Sequence, residues 1–365
     1  MKPKWKGIVL LAVLLGTAGC AAEPSAAMGK VGLHQALGHG ELAQPAIVQR
    51  ELVTAERHQI VKAAQCYELS VAGDEQPGLS CASEDFILYT GEWSRPMAQK
   101  PERAAFYCLD RSNGQSRELF TVGECDISRL VTAGGQFFWL EESWSGQWQI
   151  VRYDPRSGQK QTIAQGDMQQ ELVNDIAAQG QELYWLAQPT EGTGVLQIYQ
   201  AAGDERQSIA LPVRQWMPDM VVSLSDDRLC VIAADRLQVY ERLSGQWCSY
   251  PLPIGVWKNS YRLVQTERAA YWVARQDQGE TLLYRQDLEG KVLTEWSLPE
   301  EMQVFSLAAD DRHLLLWGEA GLYQLDRETD QLLPLYTDKS VYFCQLLAEG
   351  VMIKEETCCR FLPWV

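Results

Sequence analysis

Two residue patterns recur in step along this chain, and their shared interval constrains the fold more than any other feature. Short apolar strands read FILY at 86–89, QFFWL at 136–140, ELYWL at 182–186, RLCVI at 228–232, AAYWV at 269–273 and HLLLW at 313–317. Aligning Trp139, Trp185, Val231, Trp272 and Leu316 gives intervals of 46, 46, 41 and 44 residues. A second marker, Tyr107, Val151, Tyr199, Tyr240, Tyr284 and Tyr323, returns after 44, 48, 41, 44 and 39 residues. Three positions beyond it lies a turn, marked by Asp110, Asp154, Asp287 and Asp326 in four units, usually with a glycine shortly after. An aspartate accepts hydrogen bonds from the backbone two residues on, and glycine tolerates positive φ, so this chemistry closes a hairpin.

With the strand that precedes each unit (SRLVTA, ELVNDIAA, YRLVQT and their counterparts), the repeat holds four antiparallel strands in about 45 residues, the size of one propeller blade. A four-stranded blade cannot bury both faces alone, but blades packed face to face in a ring can. The expectation is an all-β chain forming a β-propeller of seven blades, with six as the alternative count and a β-sandwich as the alternative architecture. The C-terminal VYFCQLL, GVMIK and CCRFLPWV supply only three strands. A strand within 59–72 (QIVKAAQCYELSVA) is therefore expected to complete the last blade and join the two ends of the chain. Apolar spacing over 46–65 is irregular and is compatible with a short opening helix.

The first nineteen residues read as an export signal. Lys2, Lys4 and Lys6 precede an apolar run from Ile8 to Leu15, too short to span a membrane. Gly16, Thr17, Ala18 and Gly19 then lead to Cys20, a stretch that resembles the lipobox of bacterial lipoproteins, with Thr17 where leucine is usual. The resemblance implies cleavage before Cys20, attachment of lipid to its thiol, and anchorage at the extracytoplasmic face of the cell membrane. Residues 1–19 are thus expected to be the signal peptide, 20–45 a flexible Gly/Ala-rich tether and 46–365 the propeller. Losing three lysines shifts the net charge from −16 to −19. So acidic a surface repels phosphate backbones and argues against nucleic acid as a partner.

The chain carries no GxSxG elbow, HExxH, Walker loop or Gly-rich dinucleotide fingerprint. Its four histidines, His34, His39, His58 and His313, do not cluster. Ser157-Gly158-Gln159-Lys160 matches SxxK by letter but falls on a hairpin turn, where that motif lacks its helix start. No catalytic residue, metal site or cofactor is assigned. Setting Cys20 aside leaves nine cysteines, an odd number. Cys230 and Cys248 fall on the second and fourth strands of one blade, about 10 Å apart, and read as buried thiols. Cys108 with Cys125, and Cys66 with either Cys358 or Cys359, remain possible pairs.

Tryptophan placement is the sharpest functional lead. Trp139, Trp185 and Trp272 sit at the repeating core position, whereas Trp93, Trp144, Trp148, Trp216 and Trp257 break the pattern. These five fall in connections between second and third strands, or between blades, and both kinds emerge on one face of a propeller. Beside Arg95, Arg214 and Lys258 they would form an amphipathic surface for a protein or glycan. The alternative is that each ring folds back to anchor its own loop.

The repeats, best seen in DLEGKVLTEW at Asp287–Trp296, resemble those of quinoprotein-type bacterial propellers, and with the lipobox the chain is similar to bacterial propeller lipoproteins. The vicinal Cys358-Cys359 resembles a feature of some quinoprotein dehydrogenases, but those enzymes are larger and need calcium-binding side chains that no motif here places, and a quinone is not expected. The resemblance implies a monomeric, membrane-anchored binding or scaffold module rather than an enzyme; the alternative is an extracytoplasmic glycan hydrolase or lyase on the same scaffold.

Overall fold

A computed structural model describes residues 46–54, 64–73, 75–93, 103–189, 194–211, 221–233, 235–253, 260–275, 280–290, 292–299, 302–337 and 341–364. Three strands precede the repeats: β1 (Ala46–Glu51), β2 (Val53–Thr54) and β3 (Gln65–Glu68). Blade 1 is β4–β7: Glu75–Ala82, Phe86–Trp93, Arg103–Asp110 and Ser116–Gly123. Blade 2 is β8–β11: Cys125–Ala133, Gln136–Ser143, Gln147–Tyr153 and Lys160–Asp167. Blade 3 is β12–β15: Glu171–Gln179, Glu182–Pro189, Val195–Gln200 and Glu205–Ala210. Blade 4 is β16–β19: Val221–Leu224, Arg228–Ala233, Arg236–Glu241 and Gln246–Pro251. Blade 5 is β20–β23: Ser260–Gln265, Ala269–Arg275, Thr281–Asp287 and Val292–Ser297. Blade 6 is β24–β27: Val304–Ala309, Leu314–Gly318, Gly321–Asp326 and Gln331–Tyr336. Blade 7 is β28–β30, Phe343–Leu347, Gly350–Lys354 and Cys358–Pro363, completed on its outer edge by β3.

The protein is a seven-bladed β-propeller. Within each blade the four strands pair antiparallel in chain order, and the last blade takes its fourth strand from the N-terminal segment, inside the stretch expected from sequence. Burial explains the ring. Along β9, Phe137 and Trp139 pack against blade 1 while Phe138 and Leu140 pack against blade 3. Side chains alternate across a strand, so a continuous apolar run is what a blade with two covered faces requires. Seven apolar clusters among the described residues each straddle one pair of neighbouring blades, the seventh joining Tyr67, Met352 and Phe361 of blade 7 to Ile87, Tyr89 and Leu109 of blade 1. A sandwich would have two inner faces and one core; here the core is divided seven ways.

Turn chemistry follows the sequence. Asp110, Asp154, Asp287 and Asp326 each accept through Oδ1 from the backbone N–H two residues on, at 2.8, 2.9, 3.0 and 2.9 Å. Gly114 and Gly158, at φ 71° and 72°, return a backbone bond of 2.8 Å to Asp110 and Asp154.

Two expectations are corrected. Residues 46–54 are strand, not helix: β1 adds parallel to β23 on the rim of blade 5, and β2 parallel to β27 on blade 6. An outer strand leaves a row of unpaired backbone groups, and the extended segment pairs with those of β23 and β27. Leu52, between β1 and β2, plugs the blade 5–blade 6 core, and Arg50 pairs with Asp330. The second correction is Cys248, which is exposed; only Cys230 is buried. Both flank Val239 on β18, one strand to either side, as the spacing required. Every described cysteine is an unbridged thiol in this structure. Cys20 lies outside the described residues.

Candidate functional site: the loop face

Antiparallel pairing sorts the connections. Turns between first and second strands, and the Asp turns between third and fourth, emerge on one face; the second-to-third and inter-blade connections emerge on the other, here called the loop face. The turn face is occupied by its own scaffolding. Arg111 Nη1 donates to Ser83 O at 2.9 Å and Arg327 Nη2 to Asp311 O at 2.6 Å, each tying the two turns of its blade together. Arg242 reaches Ser225 O at 3.0 Å and pairs with Glu182 of blade 3 at 2.7 Å.

The loop face is built differently. The inner strands start there, and five of the seven carry a register shift near that end: between Pro77 and Ser80, Ile127 and Arg129, Val173 and Ile176, Tyr261 and Leu263, and Val304 and Ser306. A bulge bends the strand and re-aims the side chains beside it. Arg262, the bulged residue of β20, has φ 58°, a conformation non-glycine residues rarely adopt. Phe305, the bulged residue of β24, is 37% exposed, and Leu172, two residues before the bulge of β12, is 36% exposed. Two further rings stand in the connections: Trp144, between β9 and β10, is 55% exposed, and Tyr342, between blades 6 and 7, is 58% exposed. Half of the large apolar side chains exposed among the described residues thus lie on this face.

The Trp144 turn is locked by its backbone. Trp144 N donates to Glu124 O at 3.2 Å, Gly146 N to Ser143 O at 3.0 Å, and Gln147 N to Ser143 Oγ at 3.0 Å. Trp148 is the opposite case. It belongs to β10 rather than to the connection, is 4% exposed, and donates from Nε1 to Glu171 O of blade 3 at 2.9 Å. Gly166 makes room for it: a Cβ there would lie 2.7 Å from the indole. Trp148 is an inter-blade anchor. Beside it, burial raises the Glu171 carboxyl above its ordinary range against the opposing charge of Arg206.

Of the remaining sequence candidates, Trp93 ends β5 with its backbone opposite Glu75. Trp216, Trp257, Arg95, Arg214 and Lys258 lie outside the described residues. Sequence reading missed Leu172, Phe305 and Tyr342; the available signal was an apolar residue at the very start of an inner strand.

Beside Tyr342 the face dips into a cavity of about 460 Å³. Its floor holds a buried carboxylate, Glu355, whose Oε1 accepts from Arg360 Nε at 2.6 Å and Tyr336 Oη at 2.8 Å. The hydrogen bond and charge of Glu355 raise the Arg360 guanidinium further above its usual range. This carboxylate is committed to structure. Among the described residues no group of three His, Cys, Asp or Glu side chains is placed to hold a metal ion.

No protein-family model matches the chain, and no curated protein matches it in sequence. Solved structures do. The β-propeller domain of the trilobed protease from Pyrococcus furiosus, which has an open velcro topology, superposes with a TM-score of 0.54 at 10% identity, covering 79% of this chain and 91% of that one. An acylaminoacyl peptidase gives 0.54 at 9% identity over 80% of this chain and 51% of its own, so this chain spans about half of that peptidase. A chain of the mitotic checkpoint complex gives 0.54 at 10% identity, covering 91% and 99%. The likeness is one of fold. In contrast to that open velcro topology, β3 here pairs with β30.

Proposed function

We propose that the protein is an exported lipoprotein, held through Cys20 at the extracytoplasmic face of the cell membrane, and that its propeller is a rigid binding or scaffold module presenting the loop face to a protein or glycan. The observation that carries this reading is that Trp144 and Leu172 of blades 2 and 3, and Phe305 and Tyr342 at blades 6 and 7, are all exposed on the loop face, while Arg111 and Arg327 of the turn face bind backbone carbonyls of neighbouring turns. Rigid aromatic side chains contribute contact area at low entropic cost, and tryptophan and tyrosine dominate the energetics of protein contacts. Solved propellers of similar shape occur both in peptidases and in the mitotic checkpoint complex, so the scaffold itself favours neither catalysis nor binding. The anchor is supported by the lysine-rich start, the short apolar run and Cys20.

The test pairs two variants. Trp144→Ala with Tyr342→Ala should lower capture of envelope proteins or binding on a glycan array at least tenfold, with the melting temperature within about 2 °C of wild type, since both rings are exposed. Unchanged capture would remove the loop face from consideration. A fatty-acid probe should label the wild type and not Cys20→Ser; an unlabelled wild type would remove the anchor.

A further inference from the structure

Blade 7 is closed by one strand from each end of the chain, and a thiol from each end meets at that seam. In the β3–β30 ladder Cys66 lies opposite Arg360, and Glu68 opposite Cys358, so the two-residue period puts all four on one face. Cys359, opposite Tyr67, points to the other face, where its thiol donates to Ser80 Oγ of blade 1 at 3.8 Å. The register thus divides the vicinal pair and leaves Cys358 as the partner of Cys66. Cys66 Sγ donates at 3.9 Å to Oε1 of Glu68, the residue opposite Cys358. Both open on the loop-face cavity beside Tyr342, Cys66 exposed and Cys358 buried behind it.

We propose that Cys66 and Cys358 are a modification site, oxidised by a small-molecule or protein disulfide to a Cys66–Cys358 bridge that covalently closes the ring. Cys66 loses its proton to solvent and attacks one sulfur of R–S–S–R, forming Cys66–S–S–R and releasing RS⁻, which takes up a proton. Cys358 then loses its proton, attacks Cys66 Sγ and expels the second RS⁻, protonated in turn. Two protein thiols become one disulfide, and the reagent is reduced by two electrons to two RSH. The order follows from the surroundings: burial pushes the Cys358 thiol up to about 12, so the exposed Cys66 meets the oxidant first. Diagonal neighbours on a regular ladder lie about 7–8 Å apart at Cα and closer at Cβ, and strand twist shortens one diagonal. The remaining shift falls on β3, four residues long and paired on one side only.

The bridge would join residues almost the whole domain apart, and in the chain-entropy account the stabilisation grows with the loop enclosed. It is independent of the binding reading, because the seam and its oxidant require no partner at the loop face.

The purified full-length chain is incubated with oxidised glutathione, alkylated and mapped by mass spectrometry without reduction. Wild type should yield the Cys66 peptide linked to the Cys358-Cys359 peptide, and Cys359→Ser should retain the link. Cys358→Ser should lose it and leave Cys66 as a glutathione mixed disulfide. Reductant should lower the melting temperature of oxidised wild type by about 5–10 °C and leave Cys66→Ser unmoved. Alkylation of both thiols in wild type, survival of the link in Cys358→Ser, or equal melting of oxidised and reduced chains would each overturn the proposal.

Discussion

Blades 2 and 7 share a strand count but not a route to it. Blade 2 is one continuous stretch, and its outer strand follows the third through a six-residue turn held by Asp154 and Gly158. Blade 7 draws its outer strand from the other end of the chain, with no turn to position it. Loop closure over such a distance costs entropy that a hairpin never meets. The structure offsets it at the seams on either side. Gln345 exchanges two hydrogen bonds with Ala82 of blade 1, at 2.7 and 2.9 Å, and Lys354 Nζ donates to Pro77 O at 3.0 Å. On the blade 6 side stands the Tyr336–Glu355–Arg360 cluster. Where local chemistry cannot set an edge, polar groups from distant strands do.

Three experiments would break or sharpen this contrast. The largest effect is expected from deleting 50–75, which removes β3 and exposes the faces of Met352 and Phe361; cooperative thermal unfolding should be lost. A deletion variant that melts like wild type would refute closure by β3. Next come point changes at one seam of each blade. Trp148→Ala should cost about 3–5 kcal/mol, because it empties a filled inter-blade site. Glu355→Ala should cost about 2–3 kcal/mol, less than a fully buried pair because the Arg360 side chain keeps 24% exposure. Hydrogen exchange should place the second loss in blades 6 and 7; protection lost first in blade 2 would contradict the assignment.

The smallest effect is acid sensitivity of the hairpin turns, which blade 7 lacks at its outer edge. The side-chain bond from Ser112 holds Asp110 below 3.8, and the backbone of Glu328 and the Thr329 bond do the same for Asp326. A lowered folded pKa means that the stabilisation is complete above 3.8 and disappears as pH falls through the folded value. Asp110→Asn with Asp326→Asn should therefore show a shallower stability loss below pH 3.8 in denaturant titrations than wild type. Parallel acid limbs would show that these carboxylates contribute nothing measurable.

Much of the architecture was legible because it is local. A hairpin is fixed by residues within a dozen positions of one another, so the Trp139 and Tyr107 series, with Asp110 and its equivalents, announced the blades and the missing last strand. The site was legible only in part. Trp144 and Trp148 are four residues apart and alike in type, yet one points to solvent and the other is buried. What separates them is Gly166 and the carbonyl of Glu171, supplied by other strands. Leu172, Phe305 and Tyr342 read in sequence as ordinary strand apolars, and their exposure comes from where a bulge or a blade boundary falls.

By itself, the sequence determined the four-strand unit, its turn chemistry, the two faces of a disc and the need for an N-terminal strand, since alternation and turn propensity act over short spans. Tertiary structure alone decided the parallel rim strands β1 and β2, which indole is buried, and which of two adjacent cysteines faces Cys66. Those outcomes depend on contacts between separate strands, in the rim strands and the cysteine seam hundreds of residues apart, and a shift of one residue in register would send each side chain to the opposite face.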